Sequence, residues 1–169
     1  MKQASLFLVV FFISAILFGQ SKETIYHPEA NAELELAGAV SKAQNENKNI
    51  LVYVGGNWCK WCLRFNKFCK DTISIDSTIK ANYVVLHINY SQENENFELL
   101  QKLDNPQRFG FPVLLILDSN GKRLHTQDTG FLESGEGYDK EKVLIFLKQW
   151  TVKAVNPKNY TPKYKKEKD

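Results

Sequence analysis

Two cysteines separated by two residues are the part of this sequence from which a chemical function can be inferred most directly. Cys59 and Cys62 stand in the pentapeptide Trp-Cys-Lys-Trp-Cys. On an α-helix, three residues turn the chain through about 300°, which places the two sulfurs on nearly the same side and close enough for a disulfide. The spacing predicts a pair that cycles between dithiol and disulfide, although on its own it also fits half of a zinc site.

The residues around the pair predict a strand followed by a helix. Residues 50–54 form an apolar run, residues 55–57 interrupt it, and a helical pattern begins around Cys59. The unpaired N–H groups and the dipole at a helix N-terminus stabilise a thiolate, and the neighbouring Lys60 adds a positive charge. We therefore expect Cys59 to ionise more easily than a free thiol.

The rest of the chain predicts an alternation of helices and strands. Helices are predicted at residues 28–47, 59–70, 74–81, 97–103 and 139–150, and strands at residues 49–54, 83–89, 113–117 and 122–126. Strands that are joined through helices are typically parallel neighbours, whereas the last two strands form a hairpin. The pattern predicts an α/β fold with a central mixed sheet of about four strands, flanked by helices.

A second motif lies directly before the third predicted strand. Phe111 and Pro112 occur in Gly-Phe-Pro-Val, and Pro112 follows Cys62 by 50 residues. Together with Trp-Cys-x-x-Cys and the strand order, this motif resembles the thioredoxin superfamily over about residues 30–150. The chain is most similar to exported bacterial thioredoxin-like proteins, including the C-terminal module of thiol:disulfide interchange proteins.

The resemblance implies roles for the motif residues. Cys59 would be the attacking thiol and Cys62 the resolving thiol, while Pro112 would be a cis-proline that faces the pair and shapes the substrate groove. The other residues expected to contact substrate are Trp58, Lys60, Trp61 and Phe111. The implied activity is a thiol:disulfide oxidoreductase without a cofactor, which acts on protein thiols or disulfides and needs a redox partner protein.

Two questions about function stay open at this stage. The direction of electron flow depends on the reduction potential of the pair. An alternative function is a binding or chaperone-like module that keeps the thioredoxin fold and whose redox activity is incidental.

Tyr53 departs from the pattern of the superfamily. Thioredoxins place a buried carboxylate six residues before the first cysteine, and here that position is Tyr53. A tyrosine is a poor proton acceptor at neutral pH. Deprotonation of Cys62 during resolution therefore needs water or another group.

The remaining cysteine and the histidines have simpler interpretations. Cys69 is expected in the core, with a regulatory thiol as the alternative. A zinc site would need four ligands from the three cysteines and one of His27, His87 and His125, and none of these histidines stands at a usual spacing. His87 is expected to be packed or at a sheet edge, and His125 to lie at the surface.

The two ends of the chain differ in composition from its middle. Residues 6–18 are almost all apolar, which predicts a signal peptide over residues 1–20, followed by a leader at residues 21–29, a domain at residues 30–152 and a lysine-rich flexible tail at residues 153–169. A signal peptide predicts a periplasmic or secreted protein without stable membrane insertion after cleavage. A net charge of +3 gives no reason to expect nucleic-acid binding. The loop at residues 128–139 is either a partner-specific lip or a mobile surface loop.

Overall fold

A computed structural model describes residues 24–160 and contains a sheet of four strands with helices on both faces. The helices are α1 (Ala32–Glu46), α2 (Lys60–Asp71), α3 (Ile73–Asn82), α4 (Phe97–Lys102), α5 (Lys140–Gln149) and α6 (Val152–Val155). The strands are β1 (Asn49–Gly55), β2 (Tyr83–Asn89), β3 (Val113–Leu117), β4 (Arg123–Asp128), β5 (Glu133–Ser134) and β6 (Gly137–Tyr138).

The order of strands in the main sheet is β2-β1-β3-β4. Strand β1 is parallel to β2 and antiparallel to β3, and β3 is antiparallel to β4. The predicted α/β fold with a mixed four-strand sheet is confirmed. Strand β1 is buried along its whole length, as its unbroken apolar sequence indicates.

Alternation along β1 divides the core into two layers. Ile50, Val52 and Val54 pack with α1 and α4 on one face of the sheet. Leu51 and Tyr53 pack with α2, α3 and α5 on the other face. Gly55 continues the second set, so the end of β1 places Gly55 on the face that α2 covers.

Polar side chains fix where several helices begin. The Asn31 Oδ1 atom accepts a hydrogen bond from the Leu34 N–H at the start of α1, and the Asp139 Oδ1 atom accepts one from the Lys142 N–H at the start of α5. The last residue of α1 is Glu46, and the C-cap residue Asn47 has a φ of 51°. Helix α1 therefore begins a few residues later than predicted, because Asn31 is its N-cap.

The segment before α1 is more than the leader that the sequence suggested. Asn57 holds this segment: its Oδ1 atom accepts hydrogen bonds from the backbone N–H groups of Ile25 and Tyr26, and its Nδ2 atom donates to the Tyr26 carbonyl. Tyr26 is completely buried. The predicted signal peptide at residues 1–20 lies outside the described residues.

The first part of the predicted lysine-rich tail contains helical turns. Helix α6 and a 3₁₀ turn at Pro157–Asn159 occupy the region where a flexible segment from residue 153 was expected. Thr151 and Asn156 cap these two turns through side-chain oxygens. The remainder of the tail, residues 161–169, lies outside the described part of the chain.

The connection from β4 to α5 is folded. It consists of a 3₁₀ turn at Thr129–Leu132 and the short hairpin of β5 and β6. The Thr129 hydroxyl donates a hydrogen bond of 2.6 Å to the Pro112 carbonyl, which ties this connection to the start of β3. Residues 128–139 therefore contain regular secondary structure, and the two expectations for this loop stay predictions.

Candidate active site

Cys59 and Cys62 form a disulfide at the N-terminus of α2. The two sulfurs are 2.15 Å apart and the Cα atoms 5.2 Å apart. Cys59 is the N-cap residue of α2, and its Sγ atom accepts a hydrogen bond of 3.1 Å from the Cys62 backbone N–H. The predicted start of the helix around Cys59 is confirmed, and the sulfur of Cys59 lies where the unpaired N–H groups of the helix can stabilise negative charge.

The two cysteines differ in their surroundings. Cys59 retains 6% exposure, whereas Cys62 is completely buried. Cys62 lies against the end of β1, since a Cβ atom added to Gly55 would come within 2.6 Å of the Cys62 Sγ atom. Only a glycine at position 55 leaves room for this sulfur.

The cis-proline that the resemblance implied is present. The peptide bond between Phe111 and Pro112 is cis. Pro112 is buried, and Phe111 packs against the cluster formed by Cys59, Cys62 and Tyr26. The start of β3 therefore lies beside the disulfide.

Trp58 forms an exposed aromatic surface next to Cys59. It is 57% exposed, and its indole N–H donates a hydrogen bond of 2.8 Å to the Tyr90 carbonyl. The Phe111 ring contacts Trp58 edge-on at 5.5 Å and stacks on Tyr90 at 4.9 Å. Three aromatic side chains thus fix the surface on one side of the pair.

The other two residues predicted to contact substrate lie on the first turn of α2. Lys60 is exposed. Trp61 is only partly exposed, because it packs edge-on against Tyr138 at 5.5 Å and lies beneath the Arg64 guanidinium at 4.8 Å. Trp58 and Trp61 therefore have different packing partners, and Trp61 is the more enclosed of the two.

Tyr53, at the position of the thioredoxin carboxylate, is completely enclosed. Burial, and after it the neighbouring Cys69 thiol, raise the pKa of Tyr53 well above its usual value. Burial also raises the pKa of the Cys69 thiol to about 12. Cys69 is therefore a buried core residue, as predicted, and Tyr53 is engaged with it.

Sequence reasoning missed Tyr26 as part of the site. Its hydroxyl and the Cys62 sulfur both lie next to Gly55. A Cβ atom added at position 55 would be 2.9 Å from the Tyr26 hydroxyl and 2.6 Å from the Cys62 sulfur. Tyr26 belongs to a short polar segment with no periodic pattern, so nothing local predicts that it enters the core. The one usable signal is a large aromatic residue close before the first predicted helix.

His87 lies behind Tyr26 on the neighbouring strand β2. Its ring stacks on Tyr53 at 4.8 Å and contacts Tyr26 edge-on at 5.4 Å. Burial, and after it the charges of Lys70 and His27, lower the pKa of His87 to about 4. His87 is thus neutral at pH 7, and the prediction of a packed histidine is confirmed.

The remaining predictions from the sequence concern His125, a metal site and membrane insertion. His125 is half-buried rather than at the surface, because it stacks on Trp150 at 4.4 Å. Within residues 24–160 there is no group of three or more His, Cys, Asp or Glu side chains that could hold a metal ion. None of the helices in the same range is both long and apolar enough to cross a membrane.

Comparison with known proteins places this geometry in a family. The family model for a thioredoxin-like domain matches residues 36–141. A search of curated protein sequences gave no match. The matched segment contains the cysteine pair and Pro112, and it begins after Tyr26.

Solved structures with a similar fold include three bacterial proteins. A disulphide isomerase from Xylella fastidiosa has a TM-score of 0.67 at 22% identity, covering 76% of this chain and 98% of that one. A thioredoxin from Thermus thermophilus has a TM-score of 0.53 at 19% identity, covering 77% and 88%. The oxidised C-terminal domain of DsbD from Neisseria meningitidis has a TM-score of 0.52 at 16% identity, covering 72% and 97%. At these identities the likeness shows a shared fold.

Proposed function

This chain belongs to the thioredoxin-like domain family, and on that basis we propose that it is an oxidoreductase that exchanges disulfides with other proteins through Cys59 and Cys62. The observation that carries the proposal is the disulfide itself, which joins the N-cap residue of a helix to a residue one turn later. The cis-proline beside it adds a second feature of the same kind of site.

In the reducing direction, the cycle begins with the reduced pair and a substrate disulfide. The Cys59 thiolate attacks one substrate sulfur, the substrate S–S bond breaks, and the other substrate sulfur leaves as a thiolate that takes up a proton. The product is a mixed disulfide between Cys59 and the substrate. The N–H of Cys62, which lies 3.1 Å from the Cys59 sulfur, stabilises the charge on Cys59 before the attack.

The second step releases the substrate. Cys62 loses its proton and attacks the Cys59 sulfur, so the bond between Cys59 and the substrate breaks and the disulfide seen in this structure re-forms. The second substrate sulfur departs as a thiolate and is protonated. The pair has then passed two electrons to the substrate and is itself left as a disulfide, which a redox partner protein must reduce again.

The surface beside Cys59 suits a protein substrate. Trp58 is exposed, and Phe111 continues the aromatic surface towards the cis-proline. An extended substrate segment placed here would bring its own sulfur to Cys59, which is the less buried member of the pair. Flat aromatic surfaces of this kind are common where proteins bind other proteins.

We place this activity outside the cytoplasm. The support is the apolar run at residues 6–18, which predicts an exported protein, and the redox conditions outside the cytoplasm, under which disulfide exchange is required. Export would make the protein substrates and the redox partner periplasmic or extracellular proteins.

The test of the proposal is the reduction of insulin by dithiothreitol in the presence of the mature protein. We expect the protein to accelerate insulin precipitation and the Cys59→Ser variant to be inactive, because serine cannot form the mixed disulfide. Cys69→Ser is the matched control: it removes the one cysteine that lies outside the pair and is buried in the core, and it should retain activity. Equal activity in wild type and Cys59→Ser would overturn the proposal.

The alternative function is a binding module that uses the same aromatic surface without redox chemistry. The observation that favours it is the large exposure of Trp58, which is independent of the sulfur chemistry. Partner capture that is unchanged in a Cys59→Ser/Cys62→Ser variant and lost in Trp58→Ala would support this function instead.

A further inference from the structure

Resolution of the mixed disulfide requires a group that stabilises charge on Cys62. Cys62 is completely buried, and burial without a partner disfavours a thiolate. Tyr53, at the carboxylate position of thioredoxins, is in a different position, because it belongs to the buried cluster that contains Cys69 and not to the one that contains Cys62. The charge on Cys62 must therefore be stabilised from another direction.

Tyr26 has the only side-chain hydroxyl of the described residues that meets Cys62 above Gly55. It is the nearest polar group to that point besides the sulfur itself. Tyr26, Cys59 and Cys62 form one buried cluster. The hydroxyl thus lies near the sulfur that must become a nucleophile, and no hydrogen bond joins the two while the pair is oxidised.

The Tyr26 hydroxyl is also unpartnered. Among residues 24–160 it is one of the few buried side-chain polar atoms with no hydrogen-bond partner while the pair is oxidised. A buried hydroxyl without a partner destabilises a fold, so its presence calls for a role in another state of the protein. A disulfide sulfur is a weak acceptor, whereas a thiolate is a strong one.

The groups around Tyr26 leave its proton in place. Burial raises the pKa of the Tyr26 hydroxyl, so the hydroxyl remains protonated and keeps a hydrogen that it can donate. The titratable groups near it are Cys59 on the α2 cap, Tyr53 on β1, His87 on β2, Tyr138 on β6 and the adjacent, exposed His27. His87 is neutral at pH 7 and supplies no positive charge to the sulfur.

We infer that Tyr26 is a catalytic residue for resolution, whose hydroxyl donates a hydrogen bond to the Cys62 thiolate as it attacks Cys59. This inference rests on the proposed function and adds to it a residue from outside the segment that matches the family. The proton of Cys62 ends on the departing substrate sulfur, Tyr26 keeps its own proton, and no further oxidant or reductant takes part.

Asn57 positions this donor. Its side chain makes three hydrogen bonds with the backbone of residues 25 and 26, at 3.1, 3.2 and 2.6 Å. Asn57 belongs to the turn between β1 and the cysteine pair, so the same turn holds both Tyr26 and Cys59. Loss of the Asn57 amide should displace the Tyr26 hydroxyl from Cys62.

The test is the pKa of Cys62 in a chain where it is the only cysteine. The sequence has three cysteines, so a Cys59→Ser/Cys69→Ser background leaves Cys62 alone. The ¹³Cβ chemical shift of Cys62 is followed against pH in this background, with and without Tyr26→Phe. Phenylalanine keeps the ring contacts and removes only the hydroxyl.

We expect Tyr26→Phe to raise the pKa of Cys62 by about one unit or more, which is the effect of losing a hydrogen bond to a charged group. The oxidised Tyr26→Phe protein, with all three cysteines present, should melt at the same temperature as wild type or higher, because an unpartnered hydroxyl has been removed. Tyr53→Phe is the matched control, since it removes a buried hydroxyl on the same sheet face from the cluster that contains Cys69 and not Cys62, and it should leave the pKa of Cys62 unchanged.

An unchanged pKa of Cys62 in Tyr26→Phe, or an equal rise in Tyr53→Phe, overturns the inference. If Tyr26→Phe fails to fold, Asn57→Ala decides in its place: a raised pKa of Cys62 supports the inference and an unchanged one overturns it. The titration needs no substrate, so failure of this inference is separate from failure of the insulin test.

Discussion

The two halves of the cysteine pair are built in different ways. Cys59 lies at the helix N-terminus, beside the exposed Trp58, and accepts a hydrogen bond from the backbone one turn later. Cys62 lies completely buried against Gly55 and faces the hydroxyl of Tyr26. Cys59, the attacking half of the pair, thus keeps a small exposed fraction and is stabilised by the helix end. Cys62, the resolving half, is fully enclosed by side chains from distant parts of the chain.

This difference separates what the two sulfurs can do. A partly exposed thiolate at a helix end can reach a disulfide in another protein. A fully buried thiol cannot, and its only accessible target is the sulfur of its neighbour. The difference in position supports the order of the two steps that we propose, with Cys59 first and Cys62 second.

The largest expected effect is a change in the product of the reaction. In Cys62→Ser the second step is blocked, because serine cannot displace the substrate, so the mixed disulfide between Cys59 and substrate should accumulate. Non-reducing electrophoresis after mixing the reduced variant with a disulfide-containing protein measures this. In wild type the same species should be scarce.

The reciprocal variant sharpens the comparison. Cys59→Ser leaves Cys62 as the only member of the pair, and its burial should prevent it from capturing substrate. A mixed disulfide that forms as readily through Cys62 as through Cys59 would show that the two halves are equivalent.

The next effect concerns the pH dependence of stability at the resolving half. His87 has a pKa of about 4 in the folded protein, against 6.5 for an unperturbed histidine. Below pH 6.5 the unfolded chain takes up a proton at this residue and the folded chain does not. The free energy of unfolding therefore decreases as the pH is lowered from 6.5 to about 4. The loss assigned to His87 is roughly 3 kcal/mol over this window.

Urea unfolding between pH 7 and pH 4 measures this loss. His87→Gln cannot titrate, so its stability should fall less steeply than that of wild type over the same range, whatever its stability at pH 7. Parallel curves for the two proteins would contradict the lowered pKa of His87.

A smaller effect is expected from filling the space beside Cys62. In Gly55→Ala the new Cβ atom would lie 2.6 Å from the Cys62 sulfur and 2.9 Å from the Tyr26 hydroxyl. We expect the oxidised protein to lose about 1–3 kcal/mol of stability, which is typical of overpacking in a core. Thermal or denaturant unfolding of the oxidised protein measures the loss.

Gly38 provides the control for this substitution. It lies in α1, and an added Cβ atom would have nothing within 4 Å. Gly38→Ala should stabilise the protein by roughly 0.5–1 kcal/mol through its helix propensity. Equal effects at the two glycines would mean that Cys62 is not packed as tightly as the structure indicates.

The attacking half could be predicted from the sequence, and the resolving half only in part. The strand, the break and the helix start around Cys59 are encoded within one short segment, so local patterns place them correctly. The cis-proline at Pro112 required the resemblance to a family, because spacing alone does not fix the isomer. Tyr53 was identified as a departure, but its packing in one cluster with Cys69 depends on how α2 packs on β1.

Tyr26 shows why the surroundings of Cys62 could not be predicted from the sequence. It is 31 residues from Asn57 in the chain, and their hydrogen bonds form only when the segment before α1 folds back over the end of β1. The prediction for His125 was wrong for a related reason. It was expected at the surface and is instead half-buried, because it stacks on Trp150 at the C-terminal end of α5. Long-range contacts between isolated aromatic residues leave no periodic signal in a sequence.

The central claim, that Cys59 attacks and Cys62 resolves, is tested most directly by the reactivity of the three thiols in the reduced protein. The protein is treated at pH 7 with less than one equivalent of iodoacetamide, and peptide mass spectrometry locates the label. We predict label on Cys59, with Cys62 protected by burial and Cys69 protected by burial and a pKa of about 12. Labelling of Cys62 or Cys69 ahead of Cys59 would contradict the claim.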